Sequence, residues 1–170
     1  MNQPDASIET SLLCTAWDDA LPAAAAIADA AARLALTRGS AKDAVTPGQR
    51  IELGILLADD AEQRRLNRDW RGVDRSTNVL AFAGWDPRAP SPAGAPLLLG
   101  DVVLAYETVA QEAAEQGKSM ADHFRHLVVH GVLHLLGHDH ASDADAIVME
   151  RLETSILAEL GVADPYRGTM

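Results

Sequence analysis

The sequence predicts an α+β fold in which a mixed sheet of three or four strands packs with about five helices. The predicted strands fall in the first two thirds of the chain, and a pair of helices closes it. Composition agrees, since 48% apolar and 23% charged residues are ordinary values for a globular protein. A chain of 170 residues can bury a substantial core and shows no domain-sized linker, so we expect one domain over residues 1–170.

The first fifty residues predict one strand and one helix. Residues 8–14 have β character and suit an edge strand. Residues 17–37 predict a single helix, because Pro22 suits its first turn and apolar residues recur at helical spacing. A polar loop follows this helix.

The middle of the chain predicts a strand, a helix and a second strand. Residues 50–58 alternate between apolar and polar and then become apolar, as a largely buried strand does. A helix over residues 62–70 follows, and Asp59 or Asp60 can cap it. A polar loop with basic residues leads to a short apolar strand at residues 79–83.

The last third predicts one more strand and three helices. Residues 84–96 contain four of the eight prolines and therefore predict a loop. Gly100 is expected to interrupt the following strand, and Ser119 is expected to cap the helix that carries the histidines. The predicted ranges are a strand at 97–105, a helix at 106–116, a helix from 119 and a helix at 142–160.

The charge and the termini limit the classes of function. A formal net charge of −11 argues against non-specific binding of nucleic acid or membrane by the whole surface, although a local basic cleft remains compatible with it. Cys14 is the only cysteine, which fits a reducing compartment. Residues 1–10 lack the features of a secretory signal, and the alanine-rich residues 21–36 are too short and too charged to span a bilayer. We expect a cytoplasmic protein that does not bind membranes.

Four of the six histidines lie within residues 130–140. His130 and His134 are four residues apart, so on a helix they project from the same face. Gly137 can end this helix in a left-handed conformation, after which the chain can bring His140 back toward the first two. Three imidazoles are the ligand set of a catalytic zinc site that keeps one position open for water. Copper, nickel and iron also bind imidazole, but zinc is the best expectation.

Alternative interpretations of the histidines are weaker. They could form a metal-free cluster that is satisfied by local hydrogen bonds. His126 also shares the helix face, but it would lie roughly 12 Å from His134 along the axis, too far for one ion. We therefore expect His123 and His126 to be structural or to line a cleft. His138 is expected to point away from His140, either near the metal ligands or into solvent.

The histidine spacing matches the long zinc-protease signature His-Glu-x-x-His-x-x-Gly-x-x-His, with one difference. The protease carries its general-base glutamate directly after the first histidine, where this chain has Gly131. The three-histidine scaffold is therefore retained without the protease base. Zinc by itself can lower the pKa of bound water to about 7, so hydrolytic chemistry remains possible. Met149 invites comparison with the Met-turn of zinc proteases, but it lies in an apolar helical pattern and is expected in the core.

Several segments together resemble the YbeY family of bacterial endoribonucleases. The first is the histidine motif, His130-Gly131-x-Leu133-His134-Leu135-x-Gly137-x-Asp139-His140. The others are the block at residues 66–82, the block Leu99-Gly100-Asp101-Val102-Val103, and the closing Leu160-Gly161 and Asp164-Pro165-Tyr166. The resemblance covers residues 51–166, whereas the first fifty residues add little. His138 and Trp70 stand where the family often has tyrosine.

The resemblance implies a zinc-dependent endoribonuclease that acts on single-stranded ribosomal RNA. The family's roles are maturation of the small-subunit rRNA 3′ end and ribosome quality control, so the small subunit or assembly proteins are expected partners. The resemblance also implies that His130, His134 and His140 hold the zinc. It carries the family's functional arginine over to Arg71 and its strand-end acid to Asp101.

Arg71 suits this role physically, because a guanidinium forks onto phosphate oxygens and stabilises the charge that develops during phosphoryl transfer. Arg68 and Arg75 flank it, which predicts a local positive patch on an acidic protein. The alternative is a solvated loop in which an arginine pairs with Asp69 or Asp74.

Two aspartates are candidates for supporting roles. Asp101 could orient a ligand histidine or a water molecule, or it could be a turn residue after Gly100. Asp139 is placed to fix the His140 loop through backbone hydrogen bonds.

The function that we expect is metal-dependent cleavage of RNA, in which Arg71 stabilises the transition state. One alternative is a non-catalytic ribosome-assembly factor in which zinc only holds the fold. The other is a metallohydrolase of a different substrate, and Gly131 argues against a peptide substrate.

Overall fold

A computed structural model of the chain describes residues 5–39, 48–85 and 94–166. Within these ranges the chain forms the predicted α+β fold, with four strands and six helices. The elements are β1 (Ala6–Leu12), α1 (Ala16–Ala20), α2 (Ala24–Gly39), β2 (Ile51–Ala58), α3 (Asp60–Arg71), β3 (Val79–Ala83), β4 (Leu97–Ala105), α4 (Tyr106–Glu115), α5 (Met120–Leu135) and α6 (Asp143–Glu159).

The four strands form one mixed sheet in the order β1-β2-β4-β3. The three strands β1, β2 and β4 are parallel, and β3 pairs antiparallel with β4. The strands β1 and β3 are therefore the two edges, as expected for the N-terminal strand. None of the described helices has both the length and the apolar character that crossing a membrane requires.

Helix α5 is the centre of the packing. It contacts β3 and β4 of the sheet and the helices α2, α4 and α6. Its approach to the sheet is close at Gly131, where an added Cβ atom would lie only 2.7 Å from Cγ1 of Val102 on β4. The sheet thus fills the space that a side chain at residue 131 would need, which is the position of the general base in zinc proteases. A side chain there would force the helix away from the sheet.

The predicted helix over residues 17–37 is wrong in one respect, because the chain forms two helices, α1 and α2, instead of one. Leu21 has φ −145° and ψ 75°, outside the helical region. The reason is Pro22, which disfavours the helical conformation of the residue before it. The side chain of Trp17 is fully buried, and its indole nitrogen donates to the carbonyl of Ala58 at 2.8 Å, which anchors α1 to the end of β2.

The interruption that we predicted at Gly100 is a local irregularity and not a break. Strand β4 is continuous from Leu97 to Ala105, and its register with β2 shifts between Glu52 and Leu53. Gly100 itself has φ 139°, which a residue with a side chain rarely adopts. The other predicted strands and helices occur within a few residues of their expected ranges. Most of the predicted loop at residues 84–96 lies outside the described residues.

Candidate metal centre

Helix α5 and the loop that follows it carry the candidate ligands. Ser119 caps the helix, since its hydroxyl accepts from the backbone N–H of Asp122 at 3.1 Å. Gly137 follows the other end with φ 99°, in the left-handed region that we predicted for it. Asp139 accepts from the backbone N–H of His140 at 2.7 Å and so shapes the loop that returns His140 toward α5.

His130, His134 and His140 form a compact cluster. The Nε2 atoms of His130 and His134 are 3.1 Å apart. The ring centroid of His140 lies 5.2 Å from that of His130 and 5.1 Å from that of His134. One ring nitrogen from each residue lies within 4.8 Å of the other two. A tetrahedral zinc ion needs nitrogen atoms roughly 3.3 Å apart, so small side-chain rotations would let these residues hold one metal ion.

The environment of His134 favours the neutral imidazole that a metal requires. Burial, together with the neighbouring His130 and His140, lowers the pKa of His134 to about 4. At neutral pH this ring therefore carries a free lone pair.

Behind the cluster lies a carboxylate that we did not predict. Glu153 on α6 is 0% exposed, and its Oε1 lies 2.5 Å from Nδ1 of His130. Its Oε2 lies 3.2 Å from Nε2 of His126 and accepts a hydrogen bond from the hydroxyl of Tyr166. Burial raises the pKa of Glu153, but these hydrogen bonds outweigh it and lower the pKa to about 2. The sequence signal was a charged residue in the apolar stripe of α6, between Met149 and Ile156.

Arg71 lies along strand β3, close to His130 and His134. It is the last residue of α3, which ends at Gly72 in the left-handed conformation. Its guanidinium donates to the carbonyl of Ala81 and lies 4.6 Å from the centre of the Phe82 ring. Together with His130 and His134, Arg71 lines a cavity of about 310 Å³, which we call the β3 groove; its other residues are Val79, Leu80, Ala81, Ala83, Gly131 and Leu135.

The acidic partners that we considered for Arg71 bind other arginines. Asp74 pairs with Arg64 at 2.8 Å. Asp69 lies 3.2 Å from Arg65 and 3.5 Å from Arg68. No carboxylate within the described ranges forms an ion pair with Arg71, which leaves its charge available to an anion in the β3 groove.

The structure does not bring Asp101 to the histidines. Successive strand residues point to opposite faces of a sheet, and Val102 faces α5. Asp101 therefore points to the other face, where it is exposed and lines a separate depression with Glu9 and Glu52. The carboxylate that the structure places against a candidate ligand is that of Glu153, and Asp101 lies in the separate depression.

The remaining histidines have structural contacts. His138, expected near the metal ligands or in solvent, is instead buried, and its Nε2 lies 3.0 Å from the carbonyl oxygen of Gly39. It thus joins the loop after α5 to the end of α2. His123 is buried, and its Nε2 lies 2.9 Å from the carboxylate of Glu112, in agreement with the structural role that we expected.

Comparison with known proteins identifies the family. The model of the family described as "Endoribonuclease YbeY" matches residues 23–161, so the match reaches further toward the N-terminus than the motifs indicated. A protein named endoribonuclease YbeY from Paramagnetospirillum magneticum is 56% identical over 94% of this chain and 94% of its own length. One of the same name from Rhodospirillum rubrum is 51% identical over 88% of this chain and 76% of its own length.

A solved structure shows the same fold. The solution structure of TM1509 from Thermotoga maritima matches with a TM-score of 0.51 and 18% identity, covering 96% of this chain and 100% of that protein. The family match, the two close relatives and the histidine motif agree with one another. This chain therefore belongs to the YbeY family.

Proposed function

We propose that this chain is a cytoplasmic, zinc-dependent endoribonuclease that cuts single-stranded ribosomal RNA and acts as one domain over residues 1–170. Its biological roles would be maturation of the small-subunit rRNA 3′ end and ribosome quality control. The observation that carries the proposal is that Arg71 and the candidate ligands His130 and His134 line one groove. The relatives' name, endoribonuclease, supports the same activity.

The donor set fits a catalytic zinc ion better than a structural one. Structural zinc sites have four protein ligands, whereas catalytic sites have three and keep one position open. The group formed by His130, His134 and His140 supplies three, and His140 is exposed to solvent. Zinc bound there would act as a Lewis acid toward a phosphate oxygen.

Arg71 would bind the phosphate and stabilise its charge in the transition state. A guanidinium has five N–H donors, and the contact with the Ala81 carbonyl leaves most of them for a second acceptor. The ring of Phe82 supports the guanidinium from one side and limits its movement. Electrostatic stabilisation by a fixed donor is often the largest single contribution to such a reaction.

Single-stranded RNA suits the surroundings of Arg71. Trp70 precedes it in the chain and is 78% exposed, which is unusual for so large an apolar side chain. Exposed aromatic rings serve as stacking platforms for unpaired bases, and each stacked base contributes about 1–3 kcal/mol. Arg75 follows in the adjoining loop and has no acidic partner in the described part of the chain, so it adds positive charge for the RNA backbone.

Replacement of Arg71 by alanine tests this proposal. We expect R71A to bind zinc as the wild type does and to cleave single-stranded RNA about 10²–10³-fold more slowly, the usual cost of losing one donor to the transition state. The matched control is R64A, which removes the same charge from the same helix, where Arg64 is paired with Asp74. Cleavage by R71A at the rate of R64A, in zinc-loaded proteins, would contradict the proposed role.

A further inference from the structure

We propose that Glu153 is a positioning residue of the metal centre, which fixes the tautomer and the orientation of His130, and that Tyr166 holds Glu153 in place. The proposal rests on the metal site of the proposed function but not on the cleavage of RNA. Glu153 lies on α6, outside the histidine motif, and Tyr166 lies in the segment that follows α6.

A buried carboxylate is costly unless hydrogen-bond donors surround it. The carboxylate of Glu153 is fully buried and has three partners, His130, His126 and Tyr166. Both of its oxygens are therefore engaged, and the group can act only as an acceptor in its ionised form. This arrangement is an ordered network and not an incidental contact.

The contact with Glu153 determines which nitrogen of His130 carries the proton. Its Nδ1 lies 2.5 Å from the carboxylate, so this nitrogen must be the donor. The lone pair of the neutral ring is then on Nε2, the atom that lies 3.1 Å from Nε2 of His134. A carboxylate behind a histidine in this way orients the ring and increases its basicity toward a metal.

The same carboxylate contacts His126 through the other ring nitrogen, Nε2 instead of Nδ1. Its Nε2 lies 3.2 Å from Glu153, whereas its Nδ1 is buried and has no hydrogen-bond partner in the described part of the chain. The Nε2–H tautomer leaves only an acceptor unsatisfied at Nδ1. His126 therefore serves as a second donor to the carboxylate of Glu153.

The segment after α6 closes the network. Asp164 accepts from the backbone N–H of Tyr166 at 2.8 Å, and its Oδ1 lies 3.3 Å from the hydroxyl oxygen of Thr154, which places the segment against α6. The ring of Tyr166 also lies against that of His126, with their centroids 5.7 Å apart. Tyr166 and Glu153 thus connect the C-terminal part of the chain to His130.

The variants E153Q and Y166F test the proposal through metal binding. We expect E153Q to bind zinc about 10–100-fold more weakly in competition with a chelator, the usual effect of losing such a supporting group. Y166F, which removes one of the three donors, should show a smaller loss of affinity. The matched control is E150Q, which neutralises a carboxylate one turn earlier on α6; within the described residues, the carboxylates that bond to histidine rings are those of Glu112 and Glu153.

A purely structural role for Glu153 would lower the melting temperature without changing the histidines. Long-range ¹H–¹⁵N NMR correlations read the tautomer directly, and we expect Nδ1–H on His130 in the wild type and in E150Q but a mixture in E153Q. The visible spectrum of the cobalt-substituted protein should change in E153Q as well. Unchanged zinc affinity and an unchanged tautomer in E153Q would overturn the proposal.

Two further outcomes decide between the remaining interpretations. His126, His130 and Glu153 could also hold an ion themselves, so two zinc ions per wild-type chain would overturn the positioning role. If E153Q does not fold, then Y166F decides, and an unchanged zinc affinity and tautomer in folded Y166F would overturn the proposal. Wild-type protein that binds zinc without cleaving RNA would contradict the proposed function alone.

Discussion

The two sides of the β3 groove differ in how their side chains are held in place. On the metal side, which carries the candidate ligands, buried hydrogen bonds hold His130, whereas on the arginine side one backbone carbonyl and one aromatic ring hold Arg71. His130 rests on the fully buried Glu153, which itself has two further partners. Arg71 is exposed, and within the described residues its guanidinium is held by a hydrogen bond to the carbonyl of Ala81 and by contact with the ring of Phe82. Under the proposed function, the candidate metal ligands would therefore be held in place before substrate binds, whereas the arginine that would bind phosphate could adjust to its substrate.

The largest effect that separates the two sides should come from H140A. His140 is exposed and lies in the loop after α5, so its loss should leave the fold intact while removing one ligand. We expect zinc affinity to fall by more than the roughly 100-fold that loss of a supporting contact costs. Chelator competition measures the affinity, and the melting temperature of the metal-free protein is the control. Full zinc affinity in H140A would mean that another residue completes the site.

The close approach of α5 to the sheet is what places the two sides across one groove. We expect G131A to lose about 1–3 kcal/mol in the free energy of unfolding, because the new methyl group would meet Val102. Denaturant unfolding measures this quantity. The double variant G131A/V102A should lose less stability than the two single variants added together. Additive losses would show that Val102 does not limit the approach of the helix.

A smaller effect, confined to the arginine side, should come from W70A. We expect about tenfold weaker binding of single-stranded RNA, corresponding to the loss of one stacked base. Zinc affinity should not change, since Trp70 is 78% exposed and belongs to neither group of candidate metal ligands. The control is W70Y, which retains an aromatic ring and should bind RNA nearly as well as the wild type. Equal RNA binding by W70A and the wild type would show that Trp70 does not stack on an RNA base.

Local signals predicted much of this molecule. Helix α5 begins after Ser119 and ends before Gly137, as the capping preferences of these residues indicated. The spacing of His130, His134 and His140 anticipated the cluster that the structure shows. These features depend on residues close in sequence and on the period of the helix. The strand at Val79–Ala83 was likewise predicted in full from its apolar run.

The features that sequence reasoning missed depend on packing between distant segments. Glu153 meets His130 only because α6 lies against α5. His138 bonds to Gly39, a residue 99 positions away. The face of the sheet toward which Asp101 points depends on Val102 packing against α5 and on the alternation of side chains along the strand. The residues next to Asp101 in sequence do not reveal which face packs against α5.

The central claim is that three histidines hold a zinc ion that RNA cleavage requires. The most direct test is metal analysis of the purified chain, combined with cleavage of a single-stranded RNA before and after treatment with a chelator. We predict one zinc ion per chain, loss of cleavage when the ion is removed, and recovery when zinc is added back. A chain that holds no metal at neutral pH, or one that cleaves RNA equally well without it, would contradict the account.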